Sequence, residues 1–380
     1  MGLSNKMKQK TNPLRKTLDN MKPAFEKGGK LSAFGSFFEA MESFFFVPKT
    51  VTCKGTHIKD SVDLKRTMIT VMIALIPVFL FSLYNTGYQM NQAYGYGWGF
   101  WMIVWKGFLK ILPLYIVSYV VGLFFECMFA QIRGEEVNEG YFVTGFLIPL
   151  IMPVNVPLWT LAIAVAFAVI IGKEVFGGTG MNIWNPALLA RAFMFFSYPK
   201  VMSGDSVWVA HKAGVDAFSA ATPLSECASG ALSYSPLDMF IGLIPGCVGE
   251  TSTLCILLGA IVLVFTGIAS WKIMVSCVAG GLLVGLLGDV PCWYQLIMGG
   301  FAFGCVFMAT DPVTSCQTEA GKWIYGFLVG AFAVCLRLFN PGYPEGMMLS
   351  ILLMNTFAPL IDHLVVSRNI KKRLGRAKTA

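Results

Sequence analysis

Residues 109–130 read LKILPLYIVSYVVGLFFECMFA, a run in which only Lys110 and Glu126 carry a charge. A helix that crosses a membrane needs about 20 apolar residues, because each residue rises 1.5 Å and the hydrocarbon core is about 30 Å thick. This run is long enough to cross. Further apolar runs lie on either side of it, at residues 67–84, 141–152, 157–172, 186–196, 237–247, 253–270, 272–287, 293–309, 323–339 and 346–364.

The composition indicates the same class. The chain has 380 residues, of which 56% are hydrophobic and 13% are charged, whereas about 25% of the residues of a soluble domain are charged. So few charges cannot cover the surface of a soluble protein of this size, and so many hydrophobic residues exclude a disordered chain. The sequence therefore predicts an all-α polytopic membrane protein.

The positive charge is concentrated at the two ends of the chain. Residues 1–60 and residues 365–380 each carry a net charge of +6, and residues 61–364 carry −4. Basic segments beside membrane spans stay on the cytoplasmic side, which predicts a cytoplasmic arm, a transmembrane domain and a cytoplasmic tail with these bounds. Such tails are far commoner beside membrane spans than on nucleic-acid-binding proteins, so no nucleic-acid partner is expected.

Two cytoplasmic ends require an even number of crossings. We assign the short run 237–247 to an interfacial or re-entrant segment, which leaves about ten transmembrane helices. Counting from a cytoplasmic amino terminus places the link 85–99 and the loop 197–236 outside, and residues 173–180 inside. The loop has a net charge of −1, in agreement with an outer location.

An amphipathic stretch lies within the basic arm. Residues 31–47 place phenylalanines at helical spacing, with Glu39 and Glu42 on the opposite face. A helix of this kind lies on the membrane surface or docks on a partner, and the sequence leaves both alternatives open.

Two pairs of short segments resemble each other. Residues 142–149 (FVTGFLIP) and 240–245 (FIGLIP) share an interrupted pattern, and Asn185 and Asp311 are N-cap residues that each precede a proline. Corresponding segments interrupted by Gly or Pro in two halves of a chain indicate two inverted repeats with short broken helices.

The loop 197–236 is the longest hydrophilic stretch between the apolar runs. It contains DAFSAATPL at residues 216–224, a turn of small residues that presents the hydroxyls of Ser219 and Thr222 before Pro223 ends the local structure. Small residues let another group approach the backbone closely. By spacing alone, an ordinary Ser/Ala loop is the alternative.

Residues 216–222 resemble a flavin-attachment motif, Asp-x-x-(Ser/Thr)-Gly-Ala-Thr, whose last threonine is esterified to the phosphate of FMN. Two related families of membrane subunits carry it, the NqrB family of Na+-translocating NADH:quinone oxidoreductases and the RnfD family of RNF complexes. The resemblance assigns covalent FMN to Thr222 and includes Asp216 and Ser219 in the motif. The motif's glycine is Ala220 here, which adds a Cβ where none is usual.

Companion stretches resemble the same families in the same order, from about residue 61 to residue 363. The basic arm and residues 57–66 favour the quinone oxidoreductase, because the RNF protein begins close to its first span. The resemblance also implies a urea-transporter-like fold. The companion stretches lie at residues 136–140, 173–180, 185–193, 249–252 and 309–314.

The resemblance implies a subunit with two flavins, covalent FMN on the outer side and noncovalent riboflavin toward the cytoplasm. Electrons would reach a quinone through them, coupled to Na+ export across the bacterial inner membrane, and the protein would position these groups. Because the chain has no P-loop and no dinucleotide fingerprint, NADH oxidation falls to another polypeptide. The expected partners are an NADH/iron–sulfur subunit, a second subunit with covalent FMN, the quinone and membrane lipid.

Residues 177–180 (GGTG), followed by Asn182 and Asn185, allow close backbone approach and offer amide groups. Such contacts suit the ring or the ribityl chain of riboflavin, which has no phosphate. A flexible glycine loop is the alternative. Arg191 is the lone cation of the next apolar run and needs a partner, for which an anionic flavin and a carboxylate such as Glu174 are both suitable.

Several carboxylates lie within or beside apolar runs, where an ionisable group is costly and function is the default hypothesis. They are Glu126, Glu250, Asp289, Asp311 and Asp362. Na+ is a hard cation that prefers oxygen ligands, and the resemblance places ion-linked carboxylates at Glu126, Asp311 and Asp362. The alternatives are that Asp311 caps a helix and that Asp362 pairs with His363.

Gly122 and Glu126 are the candidates for the quinone site, because a glycine allows a flat headgroup to approach. Helix packing is the alternative role of Gly122. A solute or ion channel without redox function fits the composition and the buried carboxylates equally well. The redox hypothesis therefore depends on the motif at Thr222 and on the companion stretches.

Overall fold

We describe the protein from a computed structural model. All regular structure in the described residues is helical, which confirms the predicted all-α polytopic class. The structure describes residues 13–25, 35, 38, 64–133, 140–202, 204, 207–210, 221–230, 232–288, 290–340 and 345–379.

Twelve helices of six or more residues can be followed through the described part of the chain. They are α1 (Pro13–Phe25), α2 (Leu64–Tyr94), α3 (Phe100–Arg133), α4 (Gly140–Ile151), α5 (Leu158–Gly172), α6 (Pro186–Ser197), α7 (Pro223–Ser229), α8 (Pro236–Ile241), α9 (Thr253–Phe265), α10 (Trp271–Gly285), α11 (Glu319–Phe339) and α12 (Met347–Thr379). Between α10 and α11 lies a broken segment made of Tyr294–Ile297, Phe301–Phe303 and a π-helical turn, Gly304–Met308.

Five of these helical stretches are long and apolar enough to cross a membrane, Arg66–Tyr94, Phe100–Arg133, Leu158–Phe176, Glu319–Phe339 and Met347–Ala377. Helices α4, α6, α9 and α10 are apolar but shorter. A helix of 12 residues, the length of α4 and of α6, spans about 18 Å and covers only part of the hydrocarbon core. With the broken segment, the described residues contain ten apolar helical segments, five of them long enough to cross alone, and the number of crossings stays a prediction.

The first link between helices is shorter than predicted. Helix α2 continues to Tyr94 and α3 begins at Phe100, so the link is residues 95–99 rather than 85–99. The physical reason is that the polar end of α2 finds partners inside the protein. Asn85 is buried and donates to the carbonyl oxygen of Ile244 at 3.1 Å and to Thr251 Oγ1 at 3.2 Å.

The last helix is longer than predicted. Helix α12 runs without interruption from Met347 to Thr379, through the basic tail. Its 33 residues measure about 50 Å, which exceeds the hydrocarbon core by about 20 Å. The tail is therefore a continuation of the final span, and the predicted domain boundary at residue 365 does not coincide with the end of a helix.

Glycines let pairs of helices cross with their backbones in contact. A Cβ on Gly107 of α3 would lie 1.9 Å from the carbonyl oxygen of Leu83 in α2, and a Cβ on Gly330 of α11 would lie 1.9 Å from that of Cys277 in α10. Since no side chain fits at these distances, the two crossings require glycine. Close backbone approach of this kind is typical of helix pairs in membranes.

Large hydrophobic side chains lie on the outside as well as in the core. Along α3, Leu109, Ile116, Val120 and Phe124 form an exposed stripe at helical spacing. The opposite face of the helix is buried. In a hydrocarbon environment this stripe is the surface that lipid or another protein covers.

The two pairs of matched segments lie against each other. Gly249 N–H donates to the carbonyl oxygen of Leu150 at 2.7 Å, which joins the stretches that follow the 142–149 and 240–245 segments, and Asn185 Nδ2 lies 3.4 Å from Asp311 Oδ2. A two-fold axis between two halves brings equivalent elements face to face. These contacts support the inverted repeat, which stays a prediction.

Only one of the two predicted N-caps begins a helix. Asn185 accepts from the backbone N–H of Ala187 at 3.0 Å and caps α6, as predicted. Asp311 accepts from Val313 N–H at 3.1 Å, but the turn at residues 312–315 does not continue into a helix. The helix that follows begins at Glu319, so the prediction was wrong for Asp311.

The amphipathic stretch 31–47 lies outside the described residues except at Gly35 and Phe38. Phe38 is buried and stacks on Phe25 of α1, with ring centroids 4.6 Å apart. Helix α1 itself was not predicted from the sequence. The choice between membrane surface and partner stays open.

We expect Gly330→Val to destabilise the protein, because the added side chain forces α10 and α11 apart. Overpacking of this kind costs roughly 1–3 kcal/mol. The measurement is the midpoint of thermal unfolding in detergent. The control is Gly375→Ala, whose Cβ would have no neighbour within 4 Å, and whose midpoint we expect to be unchanged or slightly raised. Equal midpoints for the two variants would contradict the close crossing.

Candidate functional site

A cavity of about 100 Å³ lies where the matched segments meet, a volume several times what one water molecule needs. Its wall includes residues from three of the companion stretches, 173–180, 185–193 and 309–314. Most of the wall is apolar, and the polar groups converge from these stretches. The wall includes Met68, Val71, Val143, Leu147 and Phe307, with Lys173, Thr179, Asn182, Asn185 and Asp311.

The glycine loop beside the cavity needs its glycines. Gly177, Gly178 and Gly180 have φ values of 118°, 94° and 93°, a region that side chains with a Cβ rarely adopt. The loop places the hydroxyl of Thr179 at the cavity, where its oxygen is buried and has no hydrogen-bond partner among the described residues. Asn182 Nδ2 donates to the carbonyl oxygen of Trp184 at 3.0 Å. Asn182 and Asn185 therefore both lie at the cavity, and their contact with riboflavin stays a prediction.

Two ion pairs fasten the start of this loop to α3. Lys173 pairs with Glu126, and both side chains are almost fully buried. Arg133 Nη1 donates to Glu174 Oε2 at 2.9 Å, so Glu174 is the partner of Arg133. Sequence reasoning missed Lys173, although a lysine at the end of the apolar run 157–172 is a suitable partner for Glu126, the carboxylate within the apolar run 109–130.

Arg191 lies deeper in the protein than the cavity wall. Six residues into α6, it is about 9 Å from Asn185 along the helix axis, and it is 1% exposed. Its guanidinium pairs with Glu250 and Glu345. A carboxylate partner was one of the two alternatives for Arg191, and the carboxylates are those of Glu250 and Glu345 rather than that of Glu174, the example considered. The reason is that Glu174 lies at the end of α5, beside Arg133.

Cys247, Glu250 and Glu345 place their ligand atoms within 4.8 Å of one another, a spacing that could hold a metal ion. Arg191 donates to Cys247 Sγ at 3.2 Å and pairs with both carboxylates. A guanidinium thus already occupies the place of the cation. This cluster is better explained as an ion-paired link between α6 and the segments before α9 and α12.

Thr222 is the N-cap of α7 and is half-buried. Its Oγ1 accepts from the backbone N–H of Ser225 at 3.2 Å, and Pro223 is the first helical residue. The expectation that Pro223 ends the local structure was wrong, because proline is well tolerated in the first turn of a helix. Asp216 and Ser219, the other predicted members of the motif, lie outside the described residues.

The predicted ion-linked carboxylates differ in their surroundings. Asp311 lines the cavity and accepts from Thr314 Oγ1 at 3.1 Å. Asp362 accepts from the backbone N–H of Gln317 at 2.7 Å and of Thr318 at 3.0 Å, the two residues before α11, and Thr318 is itself the N-cap of that helix. Asp362 does not pair with His363, since the carboxylate is directed at these N–H groups. Asp289 lies outside the described residues.

The surroundings of Gly122 favour its packing role. A Cβ on Gly122 would lie 1.7 Å from the hydroxyl oxygen of Tyr141, which donates to the carbonyl oxygen of Ser118 at 2.7 Å. The tyrosine therefore fills the space that the glycine leaves. Glu126 lies one turn further along the buried face of α3, and the assignment of both residues to a quinone site stays a prediction.

Comparisons with known proteins bear on the whole chain. Residues 51–371 match the model of the NQR2, RnfD, RnfE family. The chain is 46% identical over 403 residues to the NqrB subunit of the Na(+)-translocating NADH-quinone reductase of Ectopseudomonas mendocina, with 96% of this chain and 99% of the relative covered. It is 46% identical over 400 residues to the corresponding protein from Chromohalobacter salexigens, with 96% of each covered. The chain therefore belongs to the NQR2, RnfD, RnfE family.

Proposed function

We propose that the chain is the NqrB membrane subunit of a sodium-translocating NADH:quinone oxidoreductase and carries covalent FMN on Thr222 and riboflavin in the cavity. Its role is to support electron transfer to a quinone coupled to Na+ export, within a multi-subunit complex of the bacterial inner membrane. The observation that carries the proposal is the convergence of three family-like stretches on one cavity, beside Thr179, Asn182 and Asn185.

The residues of the cavity suit a flavin. Apolar side chains such as Leu147 and Phe307 suit the faces of an aromatic ring, and the amides of Asn182 and Asn185 suit its polar edge or the ribityl hydroxyls. The buried hydroxyl of Thr179 lacks a partner among the described residues, which a ligand hydroxyl or carbonyl would supply. Flavins contribute one- and two-electron transfer when bound, and the protein contributes orientation and electrostatics.

The position of Thr222 suits attachment at the opposite end of the domain from the basic tail. Asp362, near the tail, accepts from Thr318 N–H at the start of α11. Near the other end of α11, Arg337 lies beside Gly299, which is next to Leu224 of α7. Arg337 lies 18 residues after Glu319, which is about 27 Å along the helix. With cytoplasmic chain ends, Thr222 is then on the outer side.

Two alternatives are less well supported. The RNF protein has a similar expected fold, but the curated relatives cited above are named as subunits of the sodium-translocating quinone reductase. A channel without redox function gives no reason for a threonine N-cap in a flavin-attachment motif.

Thr222→Ala should abolish covalent flavin on this subunit, because no other hydroxyl occupies the acceptor position. The measurement is ultraviolet-excited fluorescence of the denatured, washed band on a gel, after expression with the flavin transferase. Ser229→Ala, which removes a hydroxyl from the other end of α7, should leave the band bright. A dark wild-type band would remove the redox proposal.

Asn182→Ala should lower the ratio of riboflavin to covalent FMN by about threefold to tenfold, since the loss of one hydrogen bond costs roughly 0.5–1.5 kcal/mol. The ratio is measured by acid extraction and chromatography of the purified complex. Asn369→Ala, at an exposed position of α12, is the matched control. An unchanged ratio in Asn182→Ala would place riboflavin elsewhere.

Asp311→Asn should raise the Na+ concentration that half-stimulates NADH-driven quinone reduction, by about tenfold, because a neutral amide is a weaker ligand for a hard cation than a carboxylate. The assay uses membranes at several Na+ concentrations. Glu319→Gln, at an exposed site outside the cavity, should keep the wild-type dependence. If Asp311→Asn does so too, the carboxylate has no part in the Na+ response.

A further inference from the structure

Gly299 and Gly300 lie between α7 and Glu250, which belongs to the buried ion-paired cluster of Arg191. Gly299 has a φ of 61°, and a Cβ on it would lie 3.1 Å from Leu224 Cδ2 and 3.4 Å from Arg337 Nη2. A Cβ on Gly300 would lie 2.9 Å from the carboxylate oxygens of Glu250. At this point the backbone of Gly299 and Gly300 forms a single layer between Glu250 and α7, the helix capped by Thr222.

Arg337 holds this layer in place. Its guanidinium is buried and donates to the carbonyl oxygens of Gln295 at 2.6 Å and of Met298 at 3.0 Å. It also lies over the ring of Phe301, 5.7 Å from the ring centroid. These contacts satisfy carbonyl groups that a continuous helix would have paired, so they stabilise the break on either side of Gly299.

Helix α7 rests on the part of the broken segment that Arg337 fixes. Leu224, two residues after Thr222, belongs to a small apolar cluster with Ile297 and Met298. Met298 thus packs in the cluster of Leu224 with its side chain and contacts Arg337 with its carbonyl oxygen. A displacement of Arg337 is transmitted to α7 through one residue.

The charges next to this layer are balanced. Arg191 and Arg337 carry positive charge, Glu250 and Glu345 carry negative charge, and Glu345 is the most exposed of the four. In a medium of low dielectric constant a lone charge acts over long distances. The removal of one member therefore changes the potential felt at α7, whereas the removal of an exposed pair elsewhere does not.

We propose that Arg337 and Glu250, on opposite sides of Gly299 and Gly300, position the helix that begins at Thr222 and tune the reduction potential of its flavin. The proposal rests on the proposed function, since it requires a flavin on Thr222. Both are positioning residues. Loss of the positive charge of Arg337 disfavours the addition of an electron and lowers the potential, and loss of the negative charge of Glu250 raises it.

The experiment compares Arg337→Met, Arg337→Lys and Glu250→Gln in the complete complex, expressed with its flavin transferase. Gel fluorescence gives the fraction of this subunit that carries covalent flavin. A spectroelectrochemical titration, taken as a difference against Thr222→Ala, gives the potential of that flavin. The matched controls are Lys272→Met and Glu319→Gln, an exposed ion pair at the other end of α11.

We expect Arg337→Met to lower covalent attachment at least twofold and to shift the potential to more negative values, with Arg337→Lys intermediate. Glu250→Gln should shift the potential to more positive values, and both control variants should match the wild type. Opposite shifts are a result that a loss of stability alone does not produce.

Unchanged potentials in Arg337→Met and Glu250→Gln would overturn the proposal. If Arg337→Met does not accumulate, the flavin potentials of Arg337→Lys and Glu250→Gln test the proposal instead. Wild-type potentials in both of these variants would also overturn it. A dark wild-type band would instead refute the attachment of flavin to Thr222. The two failures are distinguishable, because failure of the positioning role alone leaves that band bright.

Discussion

The rest of the structure depends on one constraint, that a charge or backbone polar group inside hydrocarbon must find its partner within the protein. Lys173 with Glu126 and Arg191 with Glu250 and Glu345 satisfy it for the deepest charges. Each pair joins residues that are far apart in sequence. The same requirement that keeps the charges neutral therefore also decides which elements lie side by side.

The breaks in the helices follow from the same constraint. A short helix such as α4 leaves carbonyl groups unpaired at its end, and here the carbonyl oxygen of Leu150 accepts from Gly249. In the broken segment the guanidinium of Arg337 fills the corresponding role. Irregular backbone at membrane depth is tolerated where it is buried in protein, and this is where the cavity and the helix of Thr222 are found.

The class, the ten segments and most bounds could be predicted from the sequence, because apolar runs and N-caps such as Asn185 are local signals. The partners of Arg191 and Asp362 could not. Their choice depends on how helices pack, and several carboxylates were equally suitable by sequence. The length of α2 was missed for a related reason, since Asn85 is polar but finds Ile244 and Thr251 in the folded protein. Asn182 and Asn185 could be singled out from the sequence because their amides follow the glycine loop, and both line the cavity, whereas the pairing of Lys173 with Glu126 was missed.

The pairing of Arg191 has a consequence for biosynthesis. Its partners lie 59 and 154 residues further along the chain, and proteins begin to assemble while translation continues. When α6 has left the ribosome, neither carboxylate has been made. The arginine therefore has no partner from this cluster until Glu250 is synthesised, and the cluster that fixes α6 is complete only after Glu345, when nearly the whole polypeptide has been made.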